Sequence, residues 1–345
     1  MIKIGIIGHG FSAQTFHLPF VFASSDFEFT AISTRNPESI ASAAHDGKAS
    51  KPLIFSTPEA LITSNTVDLV VITAPNDVHF SIAQLCLKNN LHVIVEKPIT
   101  VTQAEAEQLA VLAEEKALVL SVFHNRRWDG DFLTVRKLLD NKVLGEVKVF
   151  ESHFDRFRPA VGQKWKERKG NGTGVWHDLG AHLVDQVLVL FGLPHSITGK
   201  CLALRNNAEA IDYFHVQLHY EGLEVILSSS PYVSGEKQRF DIQGTEARFV
   251  KQGLDPQEQQ LKDGLTPSVI EFGRESENQY GVLFTESTHT PVATEVGNYA
   301  QYYAEIAQAI NTSTPLPVSA NDAALVMKII ELALLSSQNK RTIFL

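Results

Sequence analysis

Six short apolar runs, "IKIGIIG", "FEFTAIS", "PLIF", "VDLVVITA", "LHVIVE" and "ALVLSVF", punctuate residues 2–123, with helical stretches such as "HFSIAQLCLKNN" and "TQAEAEQLAVLAEEK" between them. Strands separated by helices, rather than by tight turns, are joined by crossovers. They therefore build a parallel, doubly wound sheet with helices on both faces. Pro58 and Pro75 stand after strand ends, where a proline suits the first turn of a helix.

From about residue 145 the pattern changes. "EVKVFESHFDRFRP", "YFHVQLHY", "EVILSSS", "RFDIQG" and "ARFVKQG" alternate apolar with polar residues and are separated by turn residues. This is the pattern of a mostly antiparallel sheet in an α+β domain. One long helical stretch, "VWHDLGAHLVDQVLVLF", interrupts it, and two more come later, "GNYAQYYAEIAQAIN" and "SANDAALVMKIIELALLSSQN", the latter with Ser319 as N-cap. Pro256 to Thr294 reads as loop-rich. The expected division is residues 1–122 and 123–345, with the C-terminal helix free to pack back on the first domain.

The first strand runs into "GIIGHGFSA", a G-x-G-x-x-A pattern with Gly8, Gly10 and Ala13. Glycines there allow a tight turn and let the backbone approach a pyrophosphate at a helix N-terminus. Alone the pattern is no more than a glycine-rich turn; on the first strand of an alternating β/α half it reads as a dinucleotide loop, with Phe11 and Ser12 beside the phosphates. NAD sites usually end the second strand with an acid for the ribose 2′-hydroxyl. Here that strand ends "AISTRN", while Asp26 and Glu28 lie at its other end. Ser33, Thr34 and Arg35 can donate to a 2′-phosphate, and Arg35 adds charge, so the expected cofactor is NADP, with NAD the alternative. The competing reading makes Arg35 a solvated loop residue.

Ligands of open α/β sheets sit outside the carboxyl ends of the strands. Two segments reach that edge: "TAPNDVH" after the fourth strand, offering Thr73, Pro75, Asn76 and His79, and "EKP" after the fifth, offering Glu96 and Lys97. A lysine so placed can polarise a carbonyl or stabilise an alkoxide. The plainer alternative is a surface Glu96–Lys97 pair followed by a proline turn; a cis Lys97–Pro98 bond suits such a turn. A second cluster lies in "GVWHDLGAHLVDQ". On an α-helix Asp178, His182 and Asp185 fall at i, i+4 and i+7 on one face, and Asp178 can orient or charge-tune an imidazole that titrates near neutrality. A solvated helix face and a metal site of His177, Asp178, His182 and Asp185 are the alternatives. The adjacent His177 and Asp178 point in different directions, which disfavours the metal, and none is expected.

Composition narrows the partners. The formal net charge of -9 disfavours nucleic acid or an anionic membrane as the main partner. Cys86 and Cys201 lie far apart in no ligand pattern, which suits a reducing cytoplasm, and no apolar run is long enough to span a bilayer.

The phosphate loop, "EKP" after the fifth strand and D-x-G-x-H-x-x-D on the later helix together resemble the glucose–fructose oxidoreductase/inositol dehydrogenase/MocA-like oxidoreductases, in order and spacing over the whole chain. The resemblance implies an N-terminal NAD(P)-binding Rossmann domain and a C-terminal α+β domain with a large, open, mostly antiparallel sheet. It implies a catalytic set of Lys97, Asp178 and His182. "SVFHNRRWDGDF" and "FESHFDRFRP" look like the branch containing NADP-dependent scyllo-inositol 2-dehydrogenases. By that likeness Asn125 and Arg126 lie near the nicotinamide, Arg127 being the candidate for structural ion pairs, and Asn125 and Asp155 join Lys97, Asp178 and His182 around the substrate. "GNGTGVWHD" departs from the longer glycine run of relatives, which leaves the pocket's shape open.

The expected activity is reversible hydride transfer between NADP and a polyol, inositol or sugar. The alternatives are a non-catalytic nucleotide-binding sensor on the same fold, disfavoured because lysine and histidine are both kept, and a glycoside-cleaving enzyme that uses transient oxidation. The open sheet face of "YFHVQLHY", where Tyr213, His215, Gln217 and His219 carry no Lys, Arg, Asp or Glu, suits a second copy of the chain, so a homodimer or homotetramer is expected.

Overall fold

The computed structural model describes residues 1–41, 51–162 and 165–345. It divides into two compact units. The first comprises Met1–Asn125, Gln257–Phe272 and Asn298–Ala324; the second comprises Arg126–Pro256, Gly273–Gly297 and Leu325–Leu345. The boundary drawn at 122/123 follows the chain, whereas these units do not. Two later segments return to the first unit, and the helix Ala320–Asn339 gives its first turn to one unit and the rest to the other.

The first unit holds a parallel sheet of β1 (Ile2–Ile7), β2 (Phe27–Ser33), β3 (Leu53–Phe55), β4 (Leu69–Ile72), β5 (His92–Val95) and β6 (Leu120–Val122), in the order β3-β2-β1-β4-β5-β6. β4 is apolar at every position because both its faces are covered. Strand order reverses at β1, which makes the carboxyl edge there the topological switch point. Register decides what meets at that edge: Ile7 pairs with Ser33 and Ile72, Ile72 with Val95, and Val95 with Val122. Gly8, Thr34, Thr73, Glu96 and Phe123, the next residues of five strands, therefore emerge in one row. Behind it, the helix Ala300–Thr312 brings buried Tyr302 and Tyr303 against Phe20, Phe27 and Phe123.

The second unit carries a nine-stranded sheet: β7 (Val147–His153), β8 (Ser196–Leu202), β9 (Tyr213–Tyr220), β10 (Leu223–Ser229), β11 (Gln238–Gly244), β12 (Arg248–Gln252), β13 (Gly281–Phe284), β14 (His289–Val292) and β15 (Ile343–Phe344). Its order is β14-β13-β12-β11-β7-β10-β9-β8-β15, and only β7 and β10 run parallel. Phe214, Val216 and Leu218 of β9 are fully buried, and the intervening residues are half-exposed, as the alternation of "YFHVQLHY" requires.

Two expectations need correction. The stretch Pro256–Thr294 is not merely loop: it contains a helix, Gln257–Lys262, and the hairpin β13–β14. The hairpin was hidden because it lies at the sheet edge and buries little, so its residues lack the strong alternation of a packed strand. Nor is "VWHDLGAHLVDQVLVLF" one α-helix; it opens with a π-turn, Trp176–Gly180, before the α-helix Ala181–Phe191. Ser319 caps its helix as expected, its Oγ accepting the Asp322 N–H at 3.0 Å.

Candidate active site

At the switch point Gly8 has φ +102°, and a Cβ there would meet Thr73 Oγ1 at 2.8 Å. That hydroxyl donates to the carbonyls of Ile7 (3.0 Å) and Gly8 (3.1 Å), tying the loop to the end of β4. Ala13, third in the glycine pattern, is fully buried, so the helix that opens at Phe11 lies close on the sheet. At Gly10 an added Cβ would meet nothing within 4 Å, leaving the backbone approachable. An open loop at a helix N-terminus fits a dinucleotide pyrophosphate. Phe11 is exposed beside it, and Lys262 lies over its ring at 5.6 Å, a residue of the returning helix that sequence reasoning missed.

At the end of β2, Ser33 is buried and its carbonyl accepts the Gly8 N–H at 2.9 Å. Thr34 Oγ1 accepts from the Asn36 N–H (3.1 Å), and Arg35 is exposed. Thr34 and Arg35 are thus the accessible members of the expected 2′-phosphate set. After β4, Pro75 precedes a short 3₁₀ turn, Asn76 is buried, and the fully buried His79 bridges two loops: Nδ1 lies 2.8 Å from the Pro98 carbonyl and Nε2 2.9 Å from that of Ala74. Burial pushes the pKa of His79 down, against the pull of both carbonyls, Glu96 and Asp77.

Glu96 and Lys97 come directly after β5, and the Lys97–Pro98 peptide is cis. Glu96 is not a surface partner in an exposed pair. Its Oε1 accepts from Ser12 Oγ and from His17 Nε2 (3.0 Å), and its Oε2 accepts the Lys97 N–H (3.1 Å). Burial pushes this carboxyl up, but His17, Ser12 and Lys97 overcome it and hold the pKa at about 2. Neither His17 nor its partner Tyr303 was singled out from sequence. No local pattern marks them, because Tyr303 lies on a helix far along the chain.

In the second unit the π-turn Trp176–Gly180 has a visible cause. Trp176 is fully buried, its Nε1 donating to the Ile330 carbonyl at 3.0 Å and its ring edge-on to Phe214 at 4.8 Å. A Cβ on Gly180 would sit 2.2 Å from that ring, so the glycine of D-x-G-x-H gives the tryptophan its room. The turn revises the expected single-face stripe, because a π-turn holds more residues than an α-turn and rotates every later residue of the helix about its axis. Asp178 pairs with Lys166 at 2.7 Å, and Asp185 is gripped by Arg127 through Nε (2.9 Å) and Nη2 (2.7 Å). Arg127 thus makes the ion pair expected of it, with Asp185 as its partner. His182 is buried at 7 % exposure. His177, whose pKa burial lowers, lies 3.2 Å from the Thr173 carbonyl through Nδ1. Among the described residues no three His, Cys, Asp or Glu side chains are grouped to hold a metal.

Asn125, the last residue of the first unit, is buried. Arg126, which begins the second, pairs with Asp129 at 3.1 Å and lies over the Phe154 ring at 4.9 Å. Gln186 Nε2 donates to the Arg126 carbonyl at 2.8 Å and its Oε1 accepts from Arg239 at 2.6 Å, so the helix carrying His182 is bound to the "NRRW" turn. Asp155 accepts the Ser230 N–H at 2.8 Å, and burial raises its pKa.

A doubly wound sheet with a glycine-rich loop at its switch point and a lysine on the same edge fits a nicotinamide-dependent oxidoreductase. Comparison agrees: residues 2–124 match the model described as "Oxidoreductase family, NAD-binding Rossmann fold", and residues 136–345 match "Oxidoreductase family, C-terminal alpha/beta domain". The chain belongs to the Gfo/Idh/MocA oxidoreductase family and is an NAD(P)-dependent dehydrogenase or reductase. It is 42% identical to the uncharacterized oxidoreductase YdgJ of Escherichia coli, over 100% of this chain and 99% of that protein. It is 37% identical to the scyllo-inositol 2-dehydrogenase (NADP(+)) IolW of Bacillus subtilis, over 100% of this chain and 96% of the relative. The solved structure of yvaA from Bacillus subtilis superposes with a TM-score of 0.95 at 36% identity, covering 100% of this chain and 98% of that one. Among the described residues no helix is long and apolar enough to cross a membrane.

Proposed function

We propose that the chain is an NADP-dependent dehydrogenase of a polyol, with an inositol of the scyllo type as the favoured substrate. The observation that carries this reading is the row at the carboxyl edge of the first sheet, where the glycine loop, an exposed Arg35 with no acid at the end of β2, and Lys97 emerge from paired strand ends. The likeness to a relative named as an NADP(+)-dependent scyllo-inositol dehydrogenase supports the substrate class.

The cofactor supplies a nicotinamide ring that accepts or returns a hydride. Gly8, Gly10 and Ser12 hold its pyrophosphate, Thr34 and Arg35 its 2′-phosphate, and Asn125 and Arg126 line the nicotinamide end. As the carbinol C–H leaves as hydride, its O–H proton passes to His182 or Lys97, and a carbonyl forms. Lys97 donates to the oxygen as charge develops there. Asp178 orients His182 or binds a neighbouring substrate hydroxyl, and Asp155 binds another.

A second copy of the chain is the proposed occupant of the open face of β9. Tyr213, His215, Gln217 and His219 are half-exposed there, and the charge of the face is confined to the flanking strands, with Lys200 opposite His215 and Glu224 paired with His219 at 2.7 Å. The test of function is NADPH formation from a panel of inositols, polyols and sugars with NADP or NAD. Turnover of scyllo-inositol with NADP supports the reading, and binding of the cofactor with no turnover across the panel overturns it in favour of a sensor.

A further inference from the structure

Glu96 is part-buried in the first unit, its side chain 13 % exposed, and three donors converge on its ionised carboxylate. Ser12 comes from the phosphate loop, His17 from the end of the π-turn Ala13–His17, and the third is the backbone N–H of Lys97 itself. His17 is fully buried, and its Nδ1 lies 2.6 Å from the Tyr303 hydroxyl. Burial holds the pKa of that hydroxyl well above the usual value for a phenol, so its proton stays in place. The carboxylate only accepts, so Nε2 carries the ring proton directed at Glu96, and the Tyr303 O–H donates to Nδ1. The donors thus run one way, from Tyr303 through His17 to the carboxylate. A part-buried carboxylate that loses one of its donors is left partly uncompensated, which costs free energy where little water reaches it.

The elements joined in this way have separate tasks. One end of the network is the loop that receives the cofactor phosphates, and the other is the main chain from which Lys97 projects. We propose that Glu96 is a positioning residue that locks the phosphate loop to the Lys97 turn, with His17, its proton placed by Tyr303, as the donor that keeps the lock closed. Cofactor grip and lysine alignment then rise and fall together, although no side chain of the network has to touch the reacting atoms. This inference rests on the reading of Lys97 as the catalytic lysine.

The test uses the full chain, NADPH titrations followed by nucleotide fluorescence, and turnover with NADP and scyllo-inositol. Glu96→Gln keeps the shape but turns one acceptor into a donor facing another donor. His17→Leu removes the donor, whereas His17→Gln carries an N–H at the position of Nε2. Glu96→Gln and His17→Leu are expected to raise the NADPH Kd about tenfold and to slow turnover at saturating cofactor by a similar factor, the scale of one charge-assisted hydrogen bond. His17→Gln is expected to recover most of both losses. Ser12→Ala, at a less buried site, is expected to weaken NADPH binding and, unlike the loss of a phosphate contact alone, to slow turnover at saturating cofactor as well, which keeps the test open if a buried variant fails to fold. A wild-type Kd in Glu96→Gln and Ser12→Ala overturns the proposal, as does a folded His17→Gln no better than His17→Leu. A loss in Kd without any loss in saturated turnover overturns the link to Lys97. Lys97→Ala separates the two ideas: normal turnover there removes the catalytic reading, while the Kd series still decides whether Glu96 braces the loop.

Discussion

In the first unit the helix behind the phosphate loop contains a π-turn, Ala13–His17; in the second, the helix bearing His182 contains another, Trp176–Gly180. Wide turns of this sort are uncommon and concentrate at functional sites. In the first unit the turn ends on His17, aimed inward at Glu96; in the second it accommodates Trp176 against Gly180. The supports differ as well. Around the phosphate loop the partners are the next residues of neighbouring strands, such as Thr73 and Glu96, so sheet order alone brings them together. Around the second helix they are side chains from unrelated segments, Lys166, Arg127 and Arg239, and the Ile330 carbonyl. One site is assembled by strand register, the other by ion pairs and packing that register does not dictate.

The largest expected effect falls on the first site. Lys97→Ala should lower turnover about a hundredfold or more while NADP binding stays near its native strength, because one donor to a developing alkoxide is lost. Steady-state rates beside a binding titration check this, and a variant with near-native turnover would make Lys97 structural. Next is cofactor choice. Arg35→Ala should raise the KM for NADP about tenfold or more and leave that for NAD nearly unchanged, since only NADP carries the phosphate that a charge-assisted bond would hold. Equal shifts for both cofactors would remove Arg35 from the site.

Two glycines sharpen the contrast between the units. Gly180→Ala drives a methyl into the Trp176 ring, 2.2 Å away, and overpacking of this kind costs about 1–3 kcal/mol. Its urea unfolding midpoint should fall. Gly10→Ala meets nothing within 4 Å, so stability should hold while NADPH binding weakens. If both variants lose stability alike, Gly10 does not face an open cradle.

A smaller effect concerns acid. Glu96 is faced by His17, Lys97, Tyr303 and His79. Its pKa is depressed from 4.5 to about 2, so its contribution to stability is full above 4.5 and is lost as pH falls from 4.5 toward 2. Glu96→Gln should flatten that part of the pH–stability curve measured by urea unfolding; an unchanged slope would mean the carboxyl is not held ionised by the fold. The smallest effect is at the open sheet face. Light scattering at micromolar concentration should show at least twice 38.1 kDa, and Gln217→Lys should shift the population toward the single chain. A single-chain mass for the native protein removes the partner from β9.

Alternation of strands and helices was enough to specify the first sheet, because a strand buried on both faces must be apolar throughout and a parallel neighbour must be reached by a crossover. The phosphate loop was legible for the same local reason: Gly8 needs a backbone that only glycine adopts easily, and it declares this in its own identity. Lys97, Asp178 and His182 are candidates that motif spacing alone singles out. The expected α-helical stripe through Asp185 was not what the chain builds, since a π-turn leaves no signature in apolar periodicity and the partner that takes Asp185, Arg127, lies 58 positions away. The hairpin β13–β14 escaped for want of burial. Tertiary structure alone decided which donors the part-buried Glu96 carboxylate receives. His17 and Tyr303 are 286 residues apart, and nothing in either neighbourhood says that they meet. Local sequence records backbone conformation and the exposure of a face, whereas long-range pairing of charges depends on how whole elements pack, and that is settled only when the chain closes on itself.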